Sequence, residues 1–383
     1  MKRILLIAIA LLLLAVPALA EDRIDLSTEG CDQLYGQLTL PDGRVVFSGS
    51  AAVKGNYEDS RARLICLNPD GTVSWEYIHP AAGRCRFSNL QLLPEGVLGV
   101  ILSNSPEQET QETWIFKFTL DGQPVGEPID FFTEDISSCS STPDCIQFSV
   151  IPGDAQTFFR YFMDWNGNML FRMHCYSADS GGITILPTQS GVLQTGTEVG
   201  YPVPAKAIKF DLYGNVVWKT VLPTHLADGN ASLENAIPTE DGGCIAWLME
   251  SGGDLLSDKR QYYRAVVRLD GNGSVLWQTE VTPEMFDSSR CNAMTIYQDK
   301  IVIAMPSKSY NGEEPYYYLW FDMNGAYLGK TSNRLNVGEV NYGADFVVLG
   351  DELWVKKDIK KNLDVLMDEM DSCDEILIRV PVI

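Results

Sequence analysis

The chain has 383 residues, of which 29 are Lys or Arg against 51 Asp or Glu, and a formal charge of −22. That surplus of carboxylates excludes nucleic acid, anionic lipid and other polyanions as partners, because each needs a basic face to replace its counterions. The length suffices to bury a sizeable core without disulfide staples, and only the first residues hold an apolar run approaching the ~20 residues that span a bilayer.

In chain order, the first twenty residues read as a cleavable export signal. Lys2 and Arg3 give a basic start, Ile4 to Val16 an apolar stretch, and Ala18, Leu19 and Ala20 a small-residue cleavage site. Cleavage after Ala20 is expected, giving a secreted or cell-envelope protein with no membrane span after signal removal. Without Lys2 and Arg3 the 29 basic residues fall to 27 against 51 acidic ones, a charge of −24. Residues 21–383 read as one domain, a monomer kept soluble by its charge.

Six short segments in that domain repeat one pattern: Leu67–Trp75 (LNPDGTVSW), Phe118–Gly126 (FTLDGQPVG), Met163–Phe171 (MDWNGNMLF), Phe210–Trp218 (FDLYGNVVW), Leu269–Trp277 (LDGNGSVLW) and Phe321–Gly329 (FDMNGAYLG). Three residues before each glycine stands Asn68, Thr119, Asp164, Asp211, Asp270 or Asp322, whose side chain can accept from the amides that follow. The glycines Gly71, Gly122, Gly167, Gly214, Gly273 and Gly325 can take positive φ without a Cβ clash. Each segment is thus predicted to be a hairpin turn with a glycine bulge. Its flanks, such as Ala205–Phe210 and Tyr263–Leu269, are rich in strand-forming residues.

A second turn precedes each of these. It reads Leu40–Gly43, Leu93–Gly96, Ile151–Asp154, Ala178–Gly182, Ile237–Gly243, Gln298–Lys300 and Leu349–Glu352, each followed by a short apolar strand. The unit is strand, turn, strand, variable loop, strand, turn, strand, which is one propeller blade. The six glycines are separated by 51, 45, 47, 59 and 52 residues, a period long enough for four strands and their loops. The fold expected is all-β: a β-propeller of seven four-stranded blades, six being the alternative, because Cys145–Thr188 carries two upstream turns and one glycine-closed turn. The seventh blade takes strands from Val347–Val355, Glu375–Val382 and Arg23–Leu26, so both ends of the chain close the ring and remove exposed sheet edges. Residues 356–372 carry Ile359, Leu363, Leu366, Met367 and Met370 at helical spacing, a possible helix inserted in that blade.

Gly71 with Trp75, Gly214 with Trp218 and Gly273 with Trp277 resemble the tryptophan-docking repeat of pyrroloquinoline-quinone-like propellers, across most of the mature chain. The resemblance implies that Trp75, Trp218 and Trp277, and Phe171 at the matching place, pack between adjacent blades. The aspartate here lies three residues before the glycine, where the family usually has it four before. That family includes quinoprotein dehydrogenases and non-enzymatic assembly scaffolds. Its quinone enzymes often carry a vicinal cysteine pair, and no two cysteines here are adjacent. The non-enzymatic secreted branch is therefore the one implied, with no cofactor.

No catalytic residue is assigned. His79, His174 and His225 stand next to strand ends or loops with no second histidine at ligand spacing, so no metal site is expected. His174 and Cys175 face opposite ways on a strand and cannot work as a pair. The sequences DWNGN at Asp164 and DGNGS at Asp270 lack the ligand spacing of a calcium loop and are explained by turn geometry. Of nine cysteines, Cys66 and Cys244 sit in apolar strands as small hydrophobes, whereas Cys139 and Cys145, six residues apart around Pro143, fit a disulfide. Tyr316, Tyr317 and Tyr318 alternate on one strand, placing Tyr317 opposite the other two. Two functions are open at this point: a binding or scaffold module for a protein or glycan, or a propeller enzyme (quinone-type oxidoreductase, or carbohydrate-active hydrolase or lyase) with its site at the channel mouth.

Overall fold

The computed structural model describes residues 23–28, 32–52, 60–81, 83–104, 112–132, 136–150, 157–176, 184–188, 191–198, 202–211, 213, 215–253, 261–285, 291–305, 316–333, 340–341, 345–360 and 373–383. Their secondary structure is all β, in seven antiparallel sheets. After β1 (Arg23–Asp25), blade 1 is β2 (Asp32–Thr39), β3 (Val45–Ala51), β4 (Arg61–Leu67) and β5 (Val73–Ile78). Blade 2 is β6 (Arg86–Leu92), β7 (Leu98–Asn104), β8 (Glu112–Phe118) and β9 (Ile129–Phe132). Blade 3 is β10 (Ile136–Ser141), β11 (Ile146–Val150), β12 (Thr157–Met163) and β13 (Met169–Tyr176). Blade 4 is β14 (Thr184–Thr188), β15 (Gly191–Thr197), β16 (Ala205–Phe210) and β17 (Val216–Leu222). Blade 5 is β18 (Asn230–Pro238), β19 (Cys244–Gly252), β20 (Gln261–Leu269) and β21 (Val275–Glu280). Blade 6 is β22 (Ala293–Tyr297), β23 (Lys300–Met305), β24 (Tyr316–Asp322) and β25 (Tyr327–Asn333). Blade 7 is β26 (Val340–Asn341) and β27 (Asp345–Leu349), both on β28 (Glu352–Lys360), then β29 (Cys373–Arg379) and, outermost, β1.

The ring is therefore seven-bladed and closed by the N-terminal strand, as the sequence predicts. First strands of successive blades approach one another, β2 to β6, β18 to β22, β22 to β27 and β27 back to β2, so they line the axis. Second strands are the most buried: all seven residues of β3 are buried. Fourth strands form the outer wall, where β17 and β25 alternate between exposed and half-buried side chains.

Apolar side chains fill the joints. Phe87, Val100 and Phe118 of blade 2 meet Val46, Leu64 and Cys66 of blade 1, and similar clusters join blades 2 and 3, 4 and 5, 5 and 6, 6 and 7, and 7 and 1. Each buried Leu, Val or Phe there contributes ~1.5–3 kcal/mol. Tyr316 and Tyr318 lie in the joint to blade 7 and Tyr317 in that to blade 5, as alternation requires. At the joint of blades 3 and 4 the described contact is polar: the buried Arg160 Nη1 donates to Gln194 Oε1 at 2.7 Å.

Three expectations are corrected. The second strand of blade 3 is already β11, so its first turn is Thr142–Cys145, closed by Thr142 N to Cys145 O at 2.7 Å, and not Ile151–Asp154. In blade 4 the first two strands are β14 and β15, with Thr188 opposite Gly191, so their connection follows Thr188; Ala178–Gly182 precede β14 and lie outside the described residues. Cys139 and Cys145 are separate thiols: Cys139 lies in β10 opposite Phe148 and Cys145 ends the turn beyond it, three register steps apart. As for the possible helix, residues 356–360 belong to strand β28, paired with Leu377 back to Cys373 on β29; residues 361–372 lie outside those described.

Candidate binding face

The glycine-closed turns form as predicted. Gly71, Gly122, Gly167, Gly273 and Gly325 have φ between +78° and +85°, and each donates its amide to the residue three before it, at 2.9–3.1 Å. The Asp164 carboxylate takes the amides of Asn166 and Asn168 at 2.8 and 2.9 Å, and Asp270 those of Asn272 and Ser274 at 2.9 and 2.8 Å. Those oxygens are committed to the turns, and no cluster of metal ligands occurs among the described residues. Gly214 and the Phe171 side chain lie outside the described set.

The same turns receive the tryptophans. Trp75 Nε1 donates to Leu120 O at 3.0 Å, Trp218 Nε1 to Gly271 O at 2.8 Å and Trp277 Nε1 to Met323 O at 3.1 Å, always two residues before the glycine of the next blade. A Cβ on Gly122, Gly273 or Gly325 would lie 2.5–2.7 Å from the docked indole. Thr220 and Thr279 add a hydroxyl bond to Gly273 O and Gly325 O at 2.5 and 2.7 Å. Blade 7 has no such turn, since its outer strand is β1, and the residues after β29 stand in for it: Thr331 Oγ1 donates to Pro381 O at 2.7 Å, and Ile383 lies over Gly329. On the other side of blade 7, Ile24 of β1 takes the tryptophan's place against Gly71.

With one end of the ring spent on docking, the two faces differ. Antiparallel strands put first-to-second and third-to-fourth connections at one end, and second-to-third and blade-to-blade connections at the other. At the docking end the first-to-second connections run 2–5 residues and the third-to-fourth ones 4–5, save ten in blade 2. At the opposite end second-to-third connections run 6–12 residues and blade-to-blade ones 3–12. Every second-to-third connection carries a carboxylate, from Glu58 and Asp59 in the first to Asp364, Asp368 and Glu369 in the last.

On that long-loop face one cluster is built around a buried carboxylate. Glu250, near the end of β19 and wholly buried, accepts from His225 N at 2.8 and 3.0 Å, from Leu226 N at 2.7 Å, and faces His225 Nδ1 at 3.3 Å. His225 and Leu226 belong to the link between blades 4 and 5. Two further contacts fix that link: Val203 N donates to Gly229 O at 2.9 Å, and Asp228 Oδ2 accepts from Gly253 N at 2.9 Å. Gly229 has no room for a side chain, because a Cβ there would lie 1.9 Å from Glu250 Oε1. The His225 ring, 35% exposed, stacks on Tyr263 of β20 with centroids 3.8 Å apart and planes 13° from parallel. Gln278 Nε2, from β21, donates to Tyr263 Oη at 2.8 Å and lies 3.2 Å from His225 Nε2. Burial, with Glu280 and Glu250 nearby, raises the Tyr263 phenol above its usual range and keeps it protonated.

Sequence reasoning passes over this cluster, since His225, Glu250, Tyr263 and Gln278 are 13–53 residues apart and only the fold joins them. The channel strands hold another unforeseen feature. β2, β6 and β18 each carry a bulge, with Asn89 and Asn235 at φ of +55° and +47°, and side-chain amides there tie neighbouring blades: Asn235 Nδ2 donates to Cys291 O at 2.7 Å and Gln91 Nε2 to Ser141 O at 3.1 Å.

No family model matches the chain, and no curated protein does. Solved structures do. The polysaccharide lyase Uly1 superposes with a TM-score of 0.55, at 10% identity, over 93% of this chain and 90% of its own. A chain of the mitotic checkpoint complex superposes with a TM-score of 0.50, at 11% identity, over 94% and 91%. At such identities the likeness is one of fold, and this chain is a seven-bladed β-propeller.

Proposed function

We propose that the protein is an exported, non-catalytic binding or scaffold module of the pyrroloquinoline-quinone-like type, which recognises a protein or glycan through its long-loop face. The asymmetry between the two faces carries this reading. Short docking turns hold the ring at one end, while length and sequence vary freely at the other, the arrangement by which rigid scaffolds present recognition loops. The partners of propellers elsewhere, in a checkpoint assembly and in a polysaccharide lyase, span the two ligand classes. Export and cleavage after Ala20 belong to the same proposal, and N-terminal sequencing of the purified protein should begin at Glu21.

The test replaces residues 254–260 and 306–315, two second-to-third connections, with Gly-Ser segments of equal length. The ring's melting temperature is expected to hold while binding in a panel of glycans and extracytoplasmic proteins is lost. Unchanged binding would refute the reading. One observation favours a propeller enzyme instead: a half-exposed imidazole oriented by a buried carboxylate is what proton transfer requires. Turnover abolished by His225→Gln, with binding intact, would establish that alternative.

A further inference from the structure

We infer that His225 and Tyr263 form a saccharide subsite that holds two neighbouring hydroxyls of one sugar ring, in the place the Gln278 amide takes here; the inference rests on the binding function proposed above and narrows it to a glycan at this place. The arrangement starts from Glu250. Glu250 Oε2 faces Nδ1 at 3.3 Å, and the Gln278 amide nitrogen, which can only donate, lies 3.2 Å from Nε2, so Nδ1 carries the ring proton and Nε2 presents its lone pair outward. The Gln278 amide nitrogen sits between Nε2 and the Tyr263 oxygen, 3.2 Å from one and 2.8 Å from the other. It thus occupies a position where a single ligand atom, or two adjacent ones, meets both groups.

The chemistry of that position selects the ligand. The Tyr263 hydroxyl both gives and takes a hydrogen bond, and His225 Nε2 takes one. With Nε2 accepting, neither group bears a charge, so neither a phosphate nor an ammonium finds its counter-ion in them. Adjacent hydroxyls of a sugar each donate and accept, which matches the set when they displace Gln278 Nε2. The groups are also preorganised. Glu250 and the Gly229–Val203 contact fix the His225 backbone, and stacking on Tyr263 fixes the ring, so little side-chain freedom is lost on binding. A saccharide needs this more than most ligands, since its hydroxyls exchange water for protein with a small net gain each.

The chain has three histidines, so a carbon-13 spectrum of the imidazole ε1 groups has three signals, and His225→Gln assigns the one required. Full-length protein is titrated with the methyl glycosides of glucose, galactose, mannose and xylose, and separately with glycyl-lysine amide as a peptide probe. The expected result is a saturable shift of the His225 signal with at least one glycoside. Tyr263→Phe should weaken that binding about tenfold, one hydrogen bond's worth. Gln278→Ala, which vacates the position the ligand takes, should leave it within twofold or tighten it. The inference is overturned if no glycoside moves the signal, if only the peptide does, or if Gln278→Ala abolishes binding. Glycan binding in the panel with a silent His225 signal would overturn this subsite alone and leave the binding function standing.

Discussion

Two glycines with the same backbone and different surroundings give the sharpest test of blade docking. Gly96 has φ +79° and no atom within 4 Å of where a Cβ would stand; Gly273 has φ +82° and would place that Cβ 2.6 Å from Trp218. In both, alanine takes a left-handed conformation at ~1–2 kcal/mol. Gly273→Ala must also displace the indole, adding ~1–3 kcal/mol for overpacking and ~1 kcal/mol if the Trp218 bond to Gly271 is lost. Urea unfolding should therefore give a loss of ~1–2 kcal/mol for Gly96→Ala and ~3–6 kcal/mol for Gly273→Ala, read from the midpoints at constant slope. In a Trp218→Ala background most of the excess at Gly273 should vanish, the Thr220 hydroxyl 2.7 Å from that Cβ being what remains, a coupling that a double-mutant cycle isolates. Equal losses at the two glycines, or an excess that persists in full without the indole, would refute docking as the reason for the glycine.

Other outcomes follow from the same structure. Asp241 is depressed to about 2: desolvation pushes it up, but hydrogen bonds from Arg268, Thr239 and the Gly243 amide outweigh that. A depressed carboxylate stabilises the fold above its unfolded value of 3.8 and loses that contribution as pH falls toward 2. With its side chain 42% exposed, solvent screening limits the effect to ~1 kcal/mol or less. Asp241→Asn should flatten the acid side of the stability curve by that amount between pH 4 and pH 2, and an unchanged curve would count against the Arg268 contact. Six of the nine cysteines are described and free, and burial pushes Cys66 to about 11 and Cys244 to about 12. At pH 8 a thiol reagent should find at most three reactive groups in the native protein and more after unfolding; four or more in the native state would contradict the packing.

How far the sequence reveals this fold depends on how local each determinant is. The Asp-x-x-Gly turn is specified within five residues, and its side-chain and backbone bonds form as the pattern predicts. The docking role of the tryptophans is what the resemblance to pyrroloquinoline-quinone-like repeats implies, although their acceptors, two residues before the next blade's glycine, are seen only in the fold. Blades 3 and 4 are misphased by the pattern because Thr142–Cys145 turns without glycine and residues 189–190 leave a connection of two residues, while Ile151–Asp154 mimics a turn signal elsewhere in the blade. The possible helix fails at 356–360 because strand pairing with β29 overrides a helical spacing of apolar residues. The Glu250 cluster has no local signature, since its carboxylate is answered by amides 24 and 25 residues away.

Closure of the ring by its first strand underlies both the fold and the faces it presents. Leu26 N donates to Glu375 O at 2.8 Å, which makes Arg23 and Ile378 a non-hydrogen-bonded pair of the β1–β29 ladder, the closer-spaced kind. In Arg23→Cys/Ile378→Cys, mild oxidation of the folded protein should yield a disulfide linking those two positions, identified by mass spectrometry of the joined peptides. Efficient oxidation without that linkage, or none at all, would contradict a seventh blade completed by the N-terminal strand.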